Sequence, residues 1–288
     1  IEDQARLTAL QTGAVNFIVD IPPDNLASLE SDSKFTVLKQ PGIHFWYVGL
    51  NITKEPLTNE KVRQALAYAI DKESITRDVL KSTGEPAISM LNPGTWGFTE
   101  DIPQYHYDPE KAKQLLAEAG FGDGVEIELW VPESGSGMQS PVAMATVIQA
   151  NWAEVGVTAK IQTMEWGTFL NNLRTGDHQA FCNSWMAGLP DPDMTLFPFL
   201  HSSQVAPKGP NRFFFVDPEI DKLLEDAQSE TDQAKRAEIY KQVQQKVYAT
   251  VPLIPIEHQV QTAAMLSNVK GFTLHPNFDL RIHGVWIE

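Results

Sequence analysis

The sequence is nearly free of cysteine and contains no long apolar run. Cys182 is the only cysteine in 288 residues, so an intramolecular disulfide and a cysteine-rich metal site are both excluded. The roughly 18 consecutive apolar residues that a membrane-spanning helix needs occur nowhere. The first residues, at positions 1–4, also lack the basic start and apolar core of a signal peptide, although a secreted protein would have lost that segment.

Basic residues are scarce relative to acidic ones. The chain has 22 Lys and Arg against 37 Asp and Glu, which gives a formal net charge of −15. A field of this sign repels phosphate backbones and anionic lipid headgroups, so nucleic-acid and membrane-surface roles are disfavoured. With 42% hydrophobic and 20% charged residues, the composition is that of a globular protein with a sizeable core.

Helical and extended patterns alternate along most of the chain. Apolar spacing and caps predict helices over 4–11, 24–29, 60–70, 109–119, 141–155, 166–173 and 232–248, with another opening at Asp217-Pro218. Alternating or continuous apolar runs predict strands over 14–21, 34–39, 43–50, 125–131, 157–162, 178–185, 253–257, 259–265 and 269–274. A turn is expected at Gln40-Pro41-Gly42. The alternation indicates α/β layers around a mixed sheet.

No motif for catalysis or metal binding is complete. The seven histidines are scattered, without an HExxH pattern or an i, i+4 pair on a predicted helix. Asp191 and Asp193 suggest a calcium loop, but Leu196 and Ser202 occupy the positions where such a loop needs Gly and Glu. We therefore interpret Asp191 as the cap of a helix that Pro192 begins. No metal, cofactor or catalytic residue is expected.

The turn at 134–137, SGSG, precedes a predicted helix, where backbone N–H groups could hold an anion. It lacks the Lys and Ser/Thr of a phosphate loop, and Ser136 is not in a GxSxG motif. A flexible turn is the favoured interpretation.

An ordered set of short segments resembles family 5 of the extracellular solute-binding proteins, the dipeptide, oligopeptide and nickel type. The first segments are GLN at 49–51, PL at 56–57 and VRQALAYAIDKESI at 62–75. They are followed, in the family's order and spacing, by YDPEKA at 107–112, LLAEAGF at 115–121, EW at 165–166, Trp185 with PDPD at 190–193, DKLL at 221–224, RAEIY at 236–240 and VPLIPI at 251–256. The resemblance covers essentially the whole chain.

The resemblance implies the two-lobed, type II fold of periplasmic binding proteins, in the α/β class. Residues 1–42 resemble the last piece of lobe one, residues 43–252 the second ligand-binding lobe, and residues 253–288 the return segment to lobe one. The strands at 43–50 and 253–257 would then be the two hinge crossings. A large N-terminal part of lobe one is expected to be missing, and Glu288 is expected to be the natural C-terminus.

The resemblance also implies a function. It predicts the substrate-binding component of a bacterial ABC importer, which captures a peptide-like or other small polar solute between two lobes and delivers it to the permease. Such a protein would be periplasmic or lipid-anchored outside the cell, and the full-length form would be a monomer. The alternatives are a signalling or chaperone-like binding protein and a hydrolase that uses carboxylates.

The candidate ligand contacts follow from the same resemblance and from the local sequence. Trp185 ends a predicted strand beside the small residues Ala187 and Gly188, which would let a ligand approach the backbone. A core tryptophan is the alternative for Trp185, and a surface salt bridge is the alternative for Arg212. The full predicted set is Trp96, Trp166, Trp185, Met186, Ala187, Gly188 and Arg212.

One departure from the family pattern concerns the ligand class. In peptide-binding relatives, an aspartate three residues after the equivalent of Trp185 pairs with the α-ammonium of the peptide. Here that position is Gly188, and residues 183–190 contain no acid. Because an unpaired buried ammonium costs about 3–5 kcal/mol, the sequence predicts a ligand without a free α-amino anchor here. A modified or γ-linked peptide, an oligosaccharide or another polar metabolite would fit, and a peptide receptor using a different acid is the alternative.

Overall fold

The computed structural model describes residues 3–135, 137–277 and 279–288, so Ser136 of the predicted SGSG turn lies outside the described residues. The strands are β1 (Phe17–Val19), β2 (Phe35–Leu50), β3 (Gly84–Pro86), β4 (Val125–Pro132), β5 (Val157–Met164), β6 (Ala180–Met186), β7 (Leu253–Leu266), β8 (Val269–Lys270) and β9 (Trp286–Ile287). The helices are α1 (Asp3–Gln11), α2 (Leu26–Ser31), α3 (Glu60–Tyr68), α4 (Lys72–Ser74), α5 (Pro109–Glu118), α6 (Pro141–Glu154), α7 (Trp166–Asn172), α8 (Asp193–Leu200), α9 (Pro218–Ser229) and α10 (Gln233–Thr250).

Seven strands form one mixed sheet in the order β1-β7-β2-β6-β4-β5, with β3 paired to β7 beside this path. β4 is parallel to both β5 and β6, whereas β2 is antiparallel to both β6 and β7. Helices cover the sheet, and this mixed α/β arrangement confirms the predicted fold class. Among the described residues, no helix combines the length and apolarity needed to cross a bilayer.

The larger packed region lies on the two faces of the sheet around β2, β4 and β6. Successive side chains of a strand point to opposite faces, so Phe45 and Tyr47 enter one core while Trp46 and Val48 enter the other. The first core includes residues of α7 to α10, and the second includes residues of α3, α5 and α6. Two fully covered faces explain why β2 reads as a continuous apolar run.

A smaller packed region lies at the other end of the two long strands. Leu10, Ile21 and Leu29 pack on Ala264 of β7, while Ala263 and Phe272 belong to a cluster of their own. β2, with 16 residues, and β7, with 14, run through both regions. The two regions therefore share two antiparallel strands and keep separate cores.

Several predicted boundaries are wrong. β2 continues through Gln40-Pro41-Gly42, where a turn was expected, and a register shift between Pro41 and Phe45 accommodates the proline in its ladder with β7. The predicted strands at 253–257 and 259–265 are a single strand. The strand predicted at 14–21 shortens to Phe17–Val19, and the one predicted at 269–274 stops at Lys270, before Gly271 with φ +79°.

Candidate functional site

Three parallel strands end at one edge of the sheet, which we call the carboxyl edge. β4 ends at Pro132, β5 at Met164 and β6 at Met186. The segments that leave them carry Gly135, Trp166 and residues 187–190. In open α/β sheets, ligands bind beyond the carboxyl ends of the strands, so the topology alone makes this edge a candidate binding surface.

Trp185 is fixed at the carboxyl edge by α8. Its ring meets Phe199 edge-on with 4.9 Å between centroids, and its Nε1 donates a hydrogen bond to the carbonyl oxygen of Met194 at 3.2 Å. The residue is half-buried and packs against the core that contains Phe45 and Phe199. It therefore has the partners of a core tryptophan on one side and remains partly accessible on the other.

Large apolar side chains close to Trp185 in the sequence are exposed. Met186 is 46% exposed, Leu189 57% and Met194 43%. Exposed apolar side chains next to a partly accessible tryptophan are candidates for ligand contact. The predicted contact Met186 thus lies where a ligand could cover it.

Ala187 and Gly188 give the edge an open stretch of backbone. Ala187 is buried, while Gly188 is exposed, and a Cβ atom built on Gly188 would meet nothing within 4 Å. The carbonyl oxygen of Gly188 accepts a hydrogen bond from Asn277 Nδ2 at 3.4 Å, which brings the segment after β8 to the carboxyl edge. A ligand or a longer side chain at position 188 would meet no steric barrier from these residues.

Trp166 also lies at the carboxyl edge, as the first residue of α7. Its ring stacks on Phe169 at 5.9 Å with an interplanar angle of 20°. Gly135 approaches the ring so closely that a Cβ there would lie 2.7 Å from it. The structure therefore brings Trp166 and residues 185–188 to the same edge, at the ends of β5 and β6, which flank β4.

Trp96 has partners elsewhere. The guanidinium of Arg236 lies 4.9 Å from the Trp96 ring centroid, and Tyr240 meets the ring at 5.9 Å. Arg236 in turn pairs with Asp191 at 3.4 Å. These contacts, with α10 rather than with the carboxyl edge, account for Trp96 as a packing residue, and its predicted ligand role gains no support from them.

Arg212 lacks the salt bridge that we considered as its alternative role. Its Nη1 donates to the carbonyl oxygen of Leu170 at 3.3 Å, and burial lowers the pKa of its guanidinium. Within the described ranges no carboxylate lies within ion-pair distance of it. The residue is half-buried beside Leu170 of α7, and its role in anion binding stays a prediction.

A buried polar stretch on β7 was missed by the sequence analysis. Glu257, His258, Gln259, Gln261 and Thr262 are all nearly inaccessible. This stretch lies level with the carboxyl edge, because Phe45 of β2 is opposite Trp185 on one side and His258 on the other. The run EHQVQT inside an otherwise apolar strand was the available signal.

The polar stretch has unused hydrogen-bonding capacity. Glu257 Oε2, Gln259 Oε1 and Gln261 Oε1 are buried and have no hydrogen-bond partner among the described residues. Burial raises the pKa of Glu257 to about 8 and lowers the pKa of His258 to about 4. Both side chains are therefore held neutral near pH 7, as groups that can bond to polar atoms without carrying charge.

Over the part of the chain that the structure describes, no three His, Cys, Asp or Glu side chains come together as a metal site would require. The arrangement consists instead of an aromatic and apolar edge, an open backbone segment and a neutral polar stretch. Such a surface can bind a small solute by contact and hydrogen bonding.

These features form a candidate solute-binding surface on an α/β fold, and the comparison with protein families identifies the family. A family model described as "Bacterial extracellular solute-binding proteins, family 5 Middle" matches residues 1–207. The chain belongs to family 5 of the bacterial extracellular solute-binding proteins, a family of transport receptors.

Three similar proteins show the breadth of the family. The chain is 38% identical to heme-binding protein A of Haemophilus influenzae over 284 residues, which is 98% of this chain and 52% of that protein. It is 36% identical to the dipeptide-binding protein of Escherichia coli over 267 residues, 92% of this chain and 50% of that protein. The periplasmic binding protein DppA of Helicobacter pylori, solved with the peptide STSA, superposes with a TM-score of 0.89 at 27% identity and covers 100% of this chain and 55% of its own. The chain thus spans about half the length of the relatives that it matches.

Proposed function

We propose that this chain is part of the substrate-binding component of a bacterial ABC importer, in which a solute is captured between two lobes and passed to the membrane permease. The observation that carries the proposal is the carboxyl edge, where Trp166, Trp185 and the open backbone at Gly188 meet in a member of a solute-binding family. The protein would act outside the cytoplasm, in the periplasm or on a lipid anchor, as a monomeric receptor and not as an enzyme.

The domain division that we propose follows the two packed regions. Residues 43–252 would form the second lobe, residues 1–42 the end of the first lobe, and residues 253–288 the return to it. The separate cores at the two ends of β2 and β7 support this division. Both long strands would then act as the hinge between the lobes.

The ligand that we propose carries no free α-amino group at Gly188. Residues 183–190 offer no carboxylate, and Asp191 is already paired with Arg236. Relatives named for heme and for dipeptides show that the family accepts chemically different solutes. The exposed apolar side chains close to Trp185 in the sequence favour a ligand with apolar surface and neutral polar groups.

Titration calorimetry with a pool of unmodified di- to pentapeptides tests this proposal, using the two-lobed protein and the chain described above. We expect no binding at micromolar concentrations, and we expect N-acetylated peptides to bind no worse than free ones. Micromolar binding that acetylation abolishes would contradict the proposed ligand class. Formation of a product from any peptide or oligosaccharide would contradict the receptor function itself.

Gly188→Asp sharpens the same test. The structure has room for the new side chain, so we expect free-amino peptides to bind about 10- to 100-fold tighter, as one charge-assisted hydrogen bond of about 1.5–3 kcal/mol would produce. Gly122→Asp is the matched control, because Gly122 is exposed and lies far along the chain from the carboxyl edge, before β4. Equal gains in both variants would show that general charge, not position 188, is responsible.

A further inference from the structure

A cavity of about 400 Å³ lies beside the first residues of β7, apart from the carboxyl edge. Its walls come from residues 67–73, 85–88, 103–107 and 248–255, and no residue of the carboxyl edge contributes to it. Pro86, Pro103, Pro255 and Tyr105 give it flat apolar walls. Its volume lies within the roughly 300–1,000 Å³ typical of small-molecule sites.

Lys72 is the one Lys or Arg among the described residues that line this cavity. Its ammonium donates one hydrogen bond, to the carbonyl oxygen of Ala87 at 2.8 Å. An ammonium has three N–H donors, and the described residues provide neither a second acceptor nor a carboxylate within ion-pair distance. Burial alone lowers the pKa of Lys72 to about 8, so near pH 7 the group is a largely protonated cation with unused donors.

The other charged groups of the cavity are engaged or solvated. Asp71 caps α4 by accepting a hydrogen bond from the backbone N–H of Ser74 at 3.0 Å. Glu73, Glu85 and His106 are exposed at the rim, where water screens their charge. Lys72 is therefore the cation of the lining with unused donors, while Asp71 is engaged as a cap and Glu73 and Glu85 are exposed.

The three tyrosine hydroxyls of the lining already have partners, and that of Tyr248 accepts a hydrogen bond from the backbone N–H of Met90 at 2.5 Å. Tyr105 donates to the carbonyl oxygen of Tyr248 at 2.8 Å, and Tyr107 donates to Glu154 at 3.0 Å. Their rings are thus available for apolar contact while their hydroxyls do not compete for a ligand. Lys72 is therefore the group of the lining that could orient a ligand through hydrogen bonds.

We propose that this cavity is a second ligand site, which takes a small carboxylate with a flat apolar body. The carboxylate would accept charge-assisted hydrogen bonds from Lys72, and the body would lie between the proline and tyrosine walls. Apart from Leu253, Ile254 and Pro255 of β7, every lining residue falls within 67–251, inside the proposed second lobe.

Benzoate and its neutral counterpart benzamide are the probes for this site. We expect benzoate to bind the chain at pH 7 with submillimolar to millimolar affinity in calorimetry, and benzamide to bind at least tenfold more weakly. Lys72→Met should weaken benzoate at least tenfold and leave benzamide unchanged. Lys208→Met, at an exposed lysine outside the cavity, should leave both unchanged. Binding of benzoate should also weaken above about pH 8, as Lys72 loses its proton.

Methyl NMR of the unsubstituted chain locates the probe even if Lys72→Met fails to fold. Benzoate should shift the methyl signals of Ile70, Ile88 and Ile254, which line the cavity, and leave Met186 at the carboxyl edge unaffected. Absence of benzoate binding at concentrations up to about 10 mM, above the expected dissociation constant, would overturn the proposal. So would shifts confined to other methyls, or equal binding of benzoate by folded Lys72→Met.

Discussion

Two consecutive segments of β7, residues 253–256 and 257–262, are both buried but chemically opposite. Residues 253–256, LIPI, which we call the apolar half, pack into the cores of the larger region. Residues 257–262, EHQVQT, which we call the polar stretch, follow without a break in the strand and are also buried, apart from half-buried Val260. Burial alone therefore does not distinguish the region that stabilises the fold from the region beside the candidate site.

The two segments differ in whether their buried groups find all of their contacts and hydrogen bonds within the protein. Next to the apolar half, Gly49 pairs with Leu253, and a Cβ on Gly49 would lie 2.3 Å from the ring of Phe181, which shows how closely this region is packed. In the polar stretch, three side-chain oxygens have no partner among the described residues. Native proteins pair nearly all buried polar groups, so this stretch stands out for hydrogen-bonding capacity that the described residues do not satisfy.

The largest expected effect is in the apolar half. Ile254→Ala removes a fully buried side chain and should lower the free energy of unfolding by about 2–5 kcal/mol at every pH. Chemical denaturation measures this. The control is Ile282→Ala, at a side chain that is 67% exposed, which should change stability by less than about 0.5 kcal/mol. Similar losses in both variants would mean that the apolar half is not a close-packed core.

Glu257→Gln should reveal the cost of a buried acid in the polar stretch. Burial raises the pKa of Glu257 from 4.5 to about 8, so the folded state holds its proton over this range while the unfolded state releases it. Stability is therefore lost as the pH rises from about 4.5 to about 8, and the loss is constant above that. Relative to the natural chain, Glu257→Gln should be near neutral at pH 4.5 and more stable by roughly 5 kcal/mol above pH 8.

The difference between two denaturation series, one for each chain, isolates this effect. His44, His178 and His258, whose pKa values burial lowers to about 4, destabilise both chains equally as the pH falls from 6.5. Glu85→Gln, at an exposed residue opposite His258, is the control and should leave the pH dependence unchanged. A constant difference between Glu257→Gln and the natural chain from pH 5 to 9 would contradict the raised pKa.

Local chemistry made the helix starts predictable from sequence. Asp108 accepts a hydrogen bond from the backbone N–H of Lys111 at 2.9 Å, and Asp217 caps α9 in the same way. Asp191 accepts from the N–H of Asp193 at 3.0 Å, although α8 begins at Asp193 and its N-cap position is Pro192, one residue later than predicted. A cap and the first turn of its helix lie within a few residues, so the information needed is contiguous in the chain.

Features that depend on distant partners were not predictable. The continuation of β2 through Pro41 depends on pairing with Val260, more than 200 positions away along the chain. The contact of Arg236 with the Trp96 ring could not be predicted, because Arg236 lies on a helix near the end of the chain. The placement of Trp166 and Trp185 at one edge likewise follows from the parallel order of β5, β4 and β6.

The smallest expected effect, that of Gln261→Met, tests most directly whether the polar stretch contains unpaired buried groups. Gln261→Met replaces a side chain of similar length and loses the hydrogen bond from Nε2 to the carbonyl oxygen of Pro276. That carbonyl still accepts from the N–H of Ile43 at 3.1 Å, and the substitution also removes an acceptor, Oε1, that has no partner in the described structure. The two changes oppose each other, so the free energy of unfolding should change by less than about 1 kcal/mol.

Thr262→Val is its matched counterpart, one residue further along β7. Thr262 Oγ1 accepts a hydrogen bond from the backbone N–H of Ile21 at 2.9 Å, and valine would leave that buried donor without a partner. A loss of about 1–3 kcal/mol is therefore expected, although the substitution is closer in shape than Gln261→Met. Denaturation of both variants at one pH compares a satisfied buried group with an unsatisfied one. If Gln261→Met costs as much as Thr262→Val, then Gln261 Oε1 is fully bonded in solution, and the polar stretch is as complete as the apolar half.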